Sequence, residues 1–316
     1  MKFWYLPQPG WQARLLWPLS WVFAKVVRLR LRKRKASSYG VPLLVVGNLS
    51  VGGTGKTPAI SALVNYLQGQ GLRCGLVSRG YGGKATAYPY KVTANSSAAL
   101  CGDEPLLLYR QLQCPTVVDP NRDRAVRTLV NAQPLDVVIS DDGLQHYAMG
   151  RSLELVMIDG RRGLGNGCLL PAGPLREPIE RLELVDWVVG KHQAPPGIAV
   201  SAVLSLNPQR PVNAAGLRLP EHSRVVVCAG IGDPGSVVLS LNEWGYEVVR
   251  LVEPGDHAAV PEALLRDTAQ PLVITEKDAV KLQTPLPPHC YVIHLRPALP
   301  VELLADIADR IRSLLK

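Results

Sequence analysis

Cysteine is scarce and poorly spaced for metal or redox chemistry: the chain of 316 residues has six, and no two form a C-x-x-C pair. Neither a zinc site nor a disulfide framework is indicated, and a reducing compartment suits such a chain. Acidic residues are missing from residues 1–40, where nine cations stand: Lys2, Arg14, Lys25, Arg28, Arg30, Arg32, Lys33, Arg34 and Lys35. The other 26 cations equal the 26 acids, so the net charge of +9 is confined to one end and the body is neutral. A nucleic-acid partner would need basic surface beyond the run RLRLRKRK, and none is indicated. Also absent are repeats of fixed period and the N-K-x-D string by which phosphate-loop proteins read guanine, which favours ATP as the nucleotide.

The first 40 residues do have an apolar stretch, Leu15 to Val27, followed by the basic tail from Arg28 to Lys35. The order is the reverse of a signal peptide, which puts its charge first. A spanning helix needs roughly 20 apolar residues, whereas this run is shorter and is broken by Pro18 and Lys25. Leu15, Leu19, Val22, Phe23, Val26 and Val27 recur at helical spacing, with Trp11, Trp17 and Trp21 nearby. Tryptophan and arginine together suit a lipid headgroup region. The segment therefore reads as an amphipathic helix lying on a membrane surface, and the alternative is a helix packed on the protein's own core.

From residue 41 short apolar runs alternate with helix-like segments, the mark of an α/β fold with a mostly parallel sheet. Strands are expected at 43–48, 74–79, 116–118, 135–140 and 153–159, with helices near 57–69, 103–112 and 122–132. The Pro/Gly-rich stretch 161–178 is too long for a simple connection, so it is a functional loop or a disordered one. A stretch rich in proline, asparagine and glycine at 205–222 reads as a switch into a second unit, where strands at 224–230, 246–252, 271–275 and 291–295 and helices near 234–244 and 300–315 restart the alternation. The expected organisation is an N-terminal interfacial segment (1–40), a phosphate-loop (P-loop) domain (41–204), a linker (205–223) and a smaller α/β lobe (224–316).

The stretch SVGGTGKT (50–57) nearly spells the phosphate loop G-x-x-x-x-G-K-[ST], with Ser50 in place of the first glycine. In such a loop the backbone N–H groups cradle phosphates, the lysine reaches the β/γ-phosphates and the hydroxyl holds Mg²⁺. Strand before, glycine loop between and helix after is the context that separates a real site from chance. Here 43–46 supplies the strand, Gly52, Gly53 and Gly55 the loop, and Lys56-Thr57 the helix start, with Pro58 tolerated in the first turn. Ser50, Val51 and Thr54 complete the candidate ATP cradle. The apolar strand ending in Asp141-Asp142 offers a carboxylate for the metal, with the choice between the two left open.

Eight strings in order resemble a known family: GNLSVGGTGKTP (47–58), SRGYGG (78–83), GDEP (102–105), DDGLQH (141–146), GNGCLLPAGPLREP (165–178), AGIGDP (229–234), GDH (255–257) and TEKDAVKL (275–282). Together with the basic, apolar start they are similar to the tetraacyldisaccharide 4'-kinase family, the lipid A 4'-kinases of Gram-negative bacteria. The resemblance covers nearly the whole chain. It implies transfer of the ATP γ-phosphate to the 4'-hydroxyl of a tetraacylated glucosamine disaccharide 1-phosphate, at the cytoplasmic face of the inner membrane. It also implies that Asp103 takes or orients the acceptor proton and that His257, from the other lobe, pairs with it. Glu104, Arg176 and Glu177 would lie near the phosphates or metal. Arg79, Tyr81, Gln145 and His146 would make substrate or supporting contacts. TEKD reads as a helix start capped by Thr275, with Lys277 and Asp278 capping and solvating it. Two departures stand out: Ala258 follows GDH where the family often has a second histidine, and the helix after AGIGDP lacks the aromatic residue usual near its start.

Overall fold

The computed structural model describes residues 1–32, 39–255, 258–282 and 285–315. Eight strands succeed one another along the first two thirds of the chain: β1 (Leu43–Gly47), β2 (Cys74–Ser78), β3 (Tyr90–Lys91), β4 (Thr116–Val118), β5 (Val137–Asp141), β6 (Leu153–Asp159), β7 (Trp187–Lys191) and β8 (Ala202–Pro208). Five more build a second sheet: β9 (Val212–Asn213), β10 (Arg224–Cys228), β11 (Glu247–Val252), β12 (Leu272–Thr275) and β13 (Cys290–Ile293). A last strand, β14 (Leu295–Ala298), crosses back to the first sheet and pairs antiparallel with β8.

Among the described residues the larger sheet runs β14-β8-β7-β6-β1-β5-β2-β4-β3, parallel except at its two edges. Strand β1 is central, hydrogen-bonded to β5 on one side and β6 on the other. It is buried on both faces, as a parallel strand covered by helices must be. Leu44 and Val46 point into a core shared with the helix α2 (Lys56–Gly69), whereas Leu43 and Val45 point into the core on the opposite face. Burying each such side chain contributes roughly 1.5–3 kcal/mol.

The remaining helices follow in chain order: α3 (Ala98–Cys101), α4 (Asp103–Leu112), α5 (Arg122–Ala132), α6 (Pro234–Glu243), α7 (Glu262–Arg266), α8 (Glu276–Ala279) and α9 (Val301–Leu314). Helix α4 starts at Asp103 and α5 at Arg122, where the Asn121 side chain caps it by accepting from Arg124 N–H.

The expected domain boundaries need correction at three places, the first being residues 212–213, which are not linker but strand β9 of the second sheet. Residues 205–208 are not linker but the end of β8 in the larger sheet. Residues 295–314, expected in the C-terminal lobe, belong to the larger layer. Strand β14 edges its sheet, and α9 buries Leu303, Leu304, Ile307, Ala308 and Ile311 in the core that holds α2. Periodicity identifies a strand or a helix but not the sheet it joins. The second unit is therefore the five-stranded sheet with α6, α7 and α8.

The N-terminal helix α1 (Trp11–Arg32) buries only Ala13, Ser20 and Val27, a narrow stripe seven residues apart. Ser20 Oγ donates to the Leu169 carbonyl (2.9 Å) and accepts from Ala172 N–H (3.0 Å), so the helix docks on the stretch 161–178. That stretch is ordered by its own bridges, Leu169 with Leu175 and Leu175 with Ser50. No described helix is long and apolar enough to cross a membrane.

Candidate phosphoryl-transfer site

The phosphate loop leaves β1 at its C-terminal end and enters α2 through Gly55, whose φ of +87° is the left-handed conformation that favours glycine. A Cβ on Gly55 would also meet the Lys191 side chain at 3.1 Å. The helix has no side-chain cap, so its first amides point toward the loop, an arrangement that suits phosphate. Ser50 replaces a glycine without penalty because φ is not positive there. It is buried instead in a seam with the 161–178 stretch, where it bridges Leu175, Val51 N–H donates to the Pro174 carbonyl (2.9 Å) and Arg176 N–H donates to the Leu49 carbonyl (2.6 Å). Asn48, fully buried, donates to the Ser50 carbonyl at 2.6 Å and accepts from Lys56 Nζ at 3.3 Å.

Lys56 Nζ also lies 3.4 Å from Asp142. Asp142 adopts φ +49°, a turn conformation that aspartate tolerates, and its carboxylate takes Arg176 as well, at 3.4 Å. Burial works against that charge, but Lys56 and Arg176 hold the carboxyl below its ordinary range. Asp141 ends β5 and is 2% exposed; Ser78 Oγ donates to its Oδ2 at 3.4 Å, while Oδ1 has no partner among the described residues. Burial first, then Glu104 and Asp142 against Lys56 and Arg122, pushes this carboxyl up to about 7.

Asp103 opens α4 and is buried, its Oδ1 accepting from Glu104 N–H at 2.9 Å and its Oδ2 lying 3.8 Å from Lys277 Nζ. Backbone packing between glycines fixes its approach. A Cβ on Gly83 would strike Gly102 N at 2.6 Å, and one on Gly102 would strike the Tyr81 carbonyl at 2.7 Å. SRGYGG and GDEP are thus two loops that close on each other because neither has side chains in the way. Arg79 and Tyr81 are exposed beside them.

Gln145 donates through Nε2 to the Asn48 carbonyl (3.1 Å) and to Glu177 (2.7 Å), and its Oε1 accepts from Arg176 (3.3 Å). Glu177 is fully buried, its other oxygen taken by Arg181 at 3.1 Å, and burial raises its carboxyl despite both donors. With both oxygens engaged, Glu177 braces Gln145 in this geometry. His146 is half-buried, and burial followed by Arg122 and Arg151 lowers its pKa. His257 lies outside the described residues.

Two residues escaped the sequence reading. Arg122 is 4% exposed, its Nε is unpaired among the described residues, and it faces Asp141, Asp142 and Arg79; burial lowers it to about 10. Lys191, closing β7, lies on the other flank of the loop, with burial lowering its pKa and Asp159 4.0 Å away. Lys191 ends a buried parallel strand and Arg122 opens the helix that follows one, and a cation at the C-terminal edge of a parallel sheet is the signal that could have found both.

A family model described as tetraacyldisaccharide-1-P 4'-kinase matches residues 12–312. A relative from Aeromonas salmonicida, named tetraacyldisaccharide 4'-kinase, is 42% identical, with 99% of this chain and 96% of the relative covered. One of the same name from Azotobacter vinelandii is 44% identical over 98% and 95%. Among solved structures, LpxK from Aquifex aeolicus in complex with ATP superposes with a TM-score of 0.80 at 25% identity, covering 96% of this chain and 99% of that one.

Proposed function

The chain belongs to the tetraacyldisaccharide-1-P 4'-kinase family and is a kinase that uses ATP; from that premise we propose that it transfers the γ-phosphate to the 4'-hydroxyl of a tetraacyldisaccharide 1-phosphate, in lipid A synthesis. The observation that carries the reading is the convergence at one end of the larger sheet of a phosphate loop, a carboxylate pair and a buried helix-start carboxylate. Lys56 lies between Asn48 and Asp142, and Glu104, beside Asp103, is close enough to act on Asp141.

In this reading the open amides at the start of α2 and Lys56 hold the β- and γ-phosphates, and Arg176 and Arg122 balance the added negative charge. The acceptor oxygen bonds to the γ-phosphorus as the bridging P–O bond breaks. ADP leaves with that electron pair, and the hydroxyl proton passes to Asp103. His257 would pair with Asp103 and orient it. Arg79, Tyr81 and His146, exposed or half-buried along the same edge, are suited to the sugar and its 1-phosphate.

The donor set fits Mg²⁺, a hard cation that takes few protein oxygens and keeps waters and phosphates. The unpartnered Asp141 Oδ1 and the Thr57 hydroxyl at the helix start would hold it, with Asp142 beside them. Once bound, Mg²⁺ would supply charge neutralisation on the β- and γ-phosphates.

The lipid acceptor explains α1. One flank exposes Trp11, Leu15, Leu19, Val22, Val26 and Leu29; the adjoining flank carries Arg14, Lys25, Arg28 and Arg32. Such an exposed apolar face beside cations suits an anionic bilayer surface. We place the protein on the cytoplasmic face of the bacterial inner membrane, where the acyl chains stay in lipid while the sugar reaches ATP.

The test is ADP release with and without the lipid acceptor in mixed micelles, for the protein and for Asp103→Ala. Release should require the lipid, and Asp103→Ala should keep ATP binding but lose roughly 10²-fold or more in kcat. Lipid-independent release would point to a hydrolytic switch instead.

A further inference from the structure

Helix α8 has only four residues, yet it packs the second lobe against α4 of the first. Val280, directly after it, is 4% exposed in a small core made by Val92, Cys101, Leu106 and Val118 of the larger lobe. Glu276 accepts from Gln111 Nε2 at the far end of α4 (3.1 Å) and is held on its own lobe by His294 Nδ1 (2.7 Å). Thr275 caps α8 by accepting from Asp278 N–H, as the sequence suggested. Asp278 is fully buried, bonded to Gly230 N–H, Thr275 and Lys281, which ties α8 to its own lobe.

Lys277 does not solvate the helix start. Its side chain is 19% exposed and crosses to the other lobe, Nζ lying 3.2 Å from Glu104 Oε1 and 3.8 Å from Asp103 Oδ2. Withdrawing a lysine from water and freezing its long stem costs free energy that an apolar residue would not incur. Val280 and Glu276 already supply docking contacts, so adhesion alone gives little reason for an ammonium here.

We propose that Lys277 is a positioning residue through which docking of the second lobe sets the acceptor-side carboxylates, Asp103 and Glu104, for phosphoryl transfer. The inference rests on the kinase reading above. Four carboxylates (Asp103, Glu104, Asp141 and Asp142) face a site that must accept a polyphosphate. Lys56 and Arg176 serve the nucleotide side. Among the described residues Lys277 is a cation at the Asp103–Glu104 side, and it comes from the other lobe. With the lobe withdrawn, Glu104 would lose its partner and its charge would bear on the incoming phosphates. With the lobe docked, Lys277 draws Glu104 toward itself and fixes the turn whose N–H holds Asp103 Oδ1.

The experiment uses the full chain with Lys277→Met, Lys277→Arg, Glu104→Gln and the Lys277→Met/Glu104→Gln double variant. Lipid phosphorylation is measured alongside equilibrium ATP binding. Lys277→Met is expected to lower kcat by roughly 10- to 100-fold, with ATP affinity and lipid KM changed by no more than about threefold. Lys277→Arg should recover most of that loss, and the cost of Lys277→Met should shrink when Glu104→Gln is already present. A merely structural lysine would lower Tm and leave kcat intact, with no rescue specific to arginine. The inference is overturned if Lys277→Met turns over within twofold of the parent, if ATP binding falls as far as kcat, or if the two substitutions are additive. Failure of the unsubstituted protein to phosphorylate the lipid would instead remove the kinase reading on which the inference depends.

Discussion

Replacing Asp141 by asparagine should make the nucleotide-free protein more stable while removing its activity. The carboxyl is 2% exposed and is pushed up to about 7, chiefly by burial, with Glu104 and Asp142 adding to it and Lys56 and Arg122 opposing. The folded chain therefore holds the proton more tightly than the unfolded chain does. Below about pH 4 both states are protonated and the site costs nothing. As pH rises from there to about 7 the unfolded chain ionises first, and stability falls. Above about pH 7 the full cost stands, on the order of 4 kcal/mol. Asparagine fills the same space and never ionises. Thermal unfolding of protein free of nucleotide and metal, at pH 5 and pH 8, should show Asp141→Asn several degrees more stable at pH 8, with less than about half that gain at pH 5. The same variant should not transfer phosphate, the exchange of stability for function expected of an active-site carboxylate. An equal gain at both pH values, or a loss at pH 8, would refute the reasoning: it would mean that Lys56 and Arg122 keep Asp141 ionised.

Two further perturbations probe the architecture and the membrane surface. Ile307 is fully buried in the core beneath α2, so Ile307→Ala should cost roughly 2–5 kcal/mol and lower Tm; no change in Tm would contradict the packing of α9 on the larger sheet. Leu19 and Val22, 59% and 57% exposed, should tolerate a Leu19→Glu/Val22→Glu pair without loss of Tm while binding to anionic vesicles falls by more than about tenfold in a sedimentation assay.

The phosphate loop was legible because its parts are local: an apolar strand, three glycines and a lysine opening a helix all fall within fifteen residues. The same holds for α4 and α5, whose apolar faces and first-turn residues mark both ends. The return of β14 and α9 to the larger sheet was not legible, since Leu303, Ile307 and Ile311 give the same helical period wherever the helix docks. Lys277 was misread for a related reason. Its spacing from Thr275 predicts a solvated first turn, whereas the approach of α4 leaves that position half-buried. Arg122 was passed over because it follows Asn121 as an ordinary first-turn residue; its burial depends on Asp141 and Asp142, about twenty residues later in the chain. Within SVGGTGKT, Ser50 is explained by its neighbours in space, because the seam with Leu175 needs a buried extended residue where other phosphate loops turn.

The central claim is tested most directly by following γ-labelled ATP into tetraacyldisaccharide 1-phosphate in mixed micelles, with Lys56→Ala in parallel and labelled lipid separated from free phosphate. Labelled lipid is expected from the unsubstituted protein, with a loss of at least about 10²-fold in the variant. Lysine-dependent free phosphate with no labelled lipid would contradict the claim.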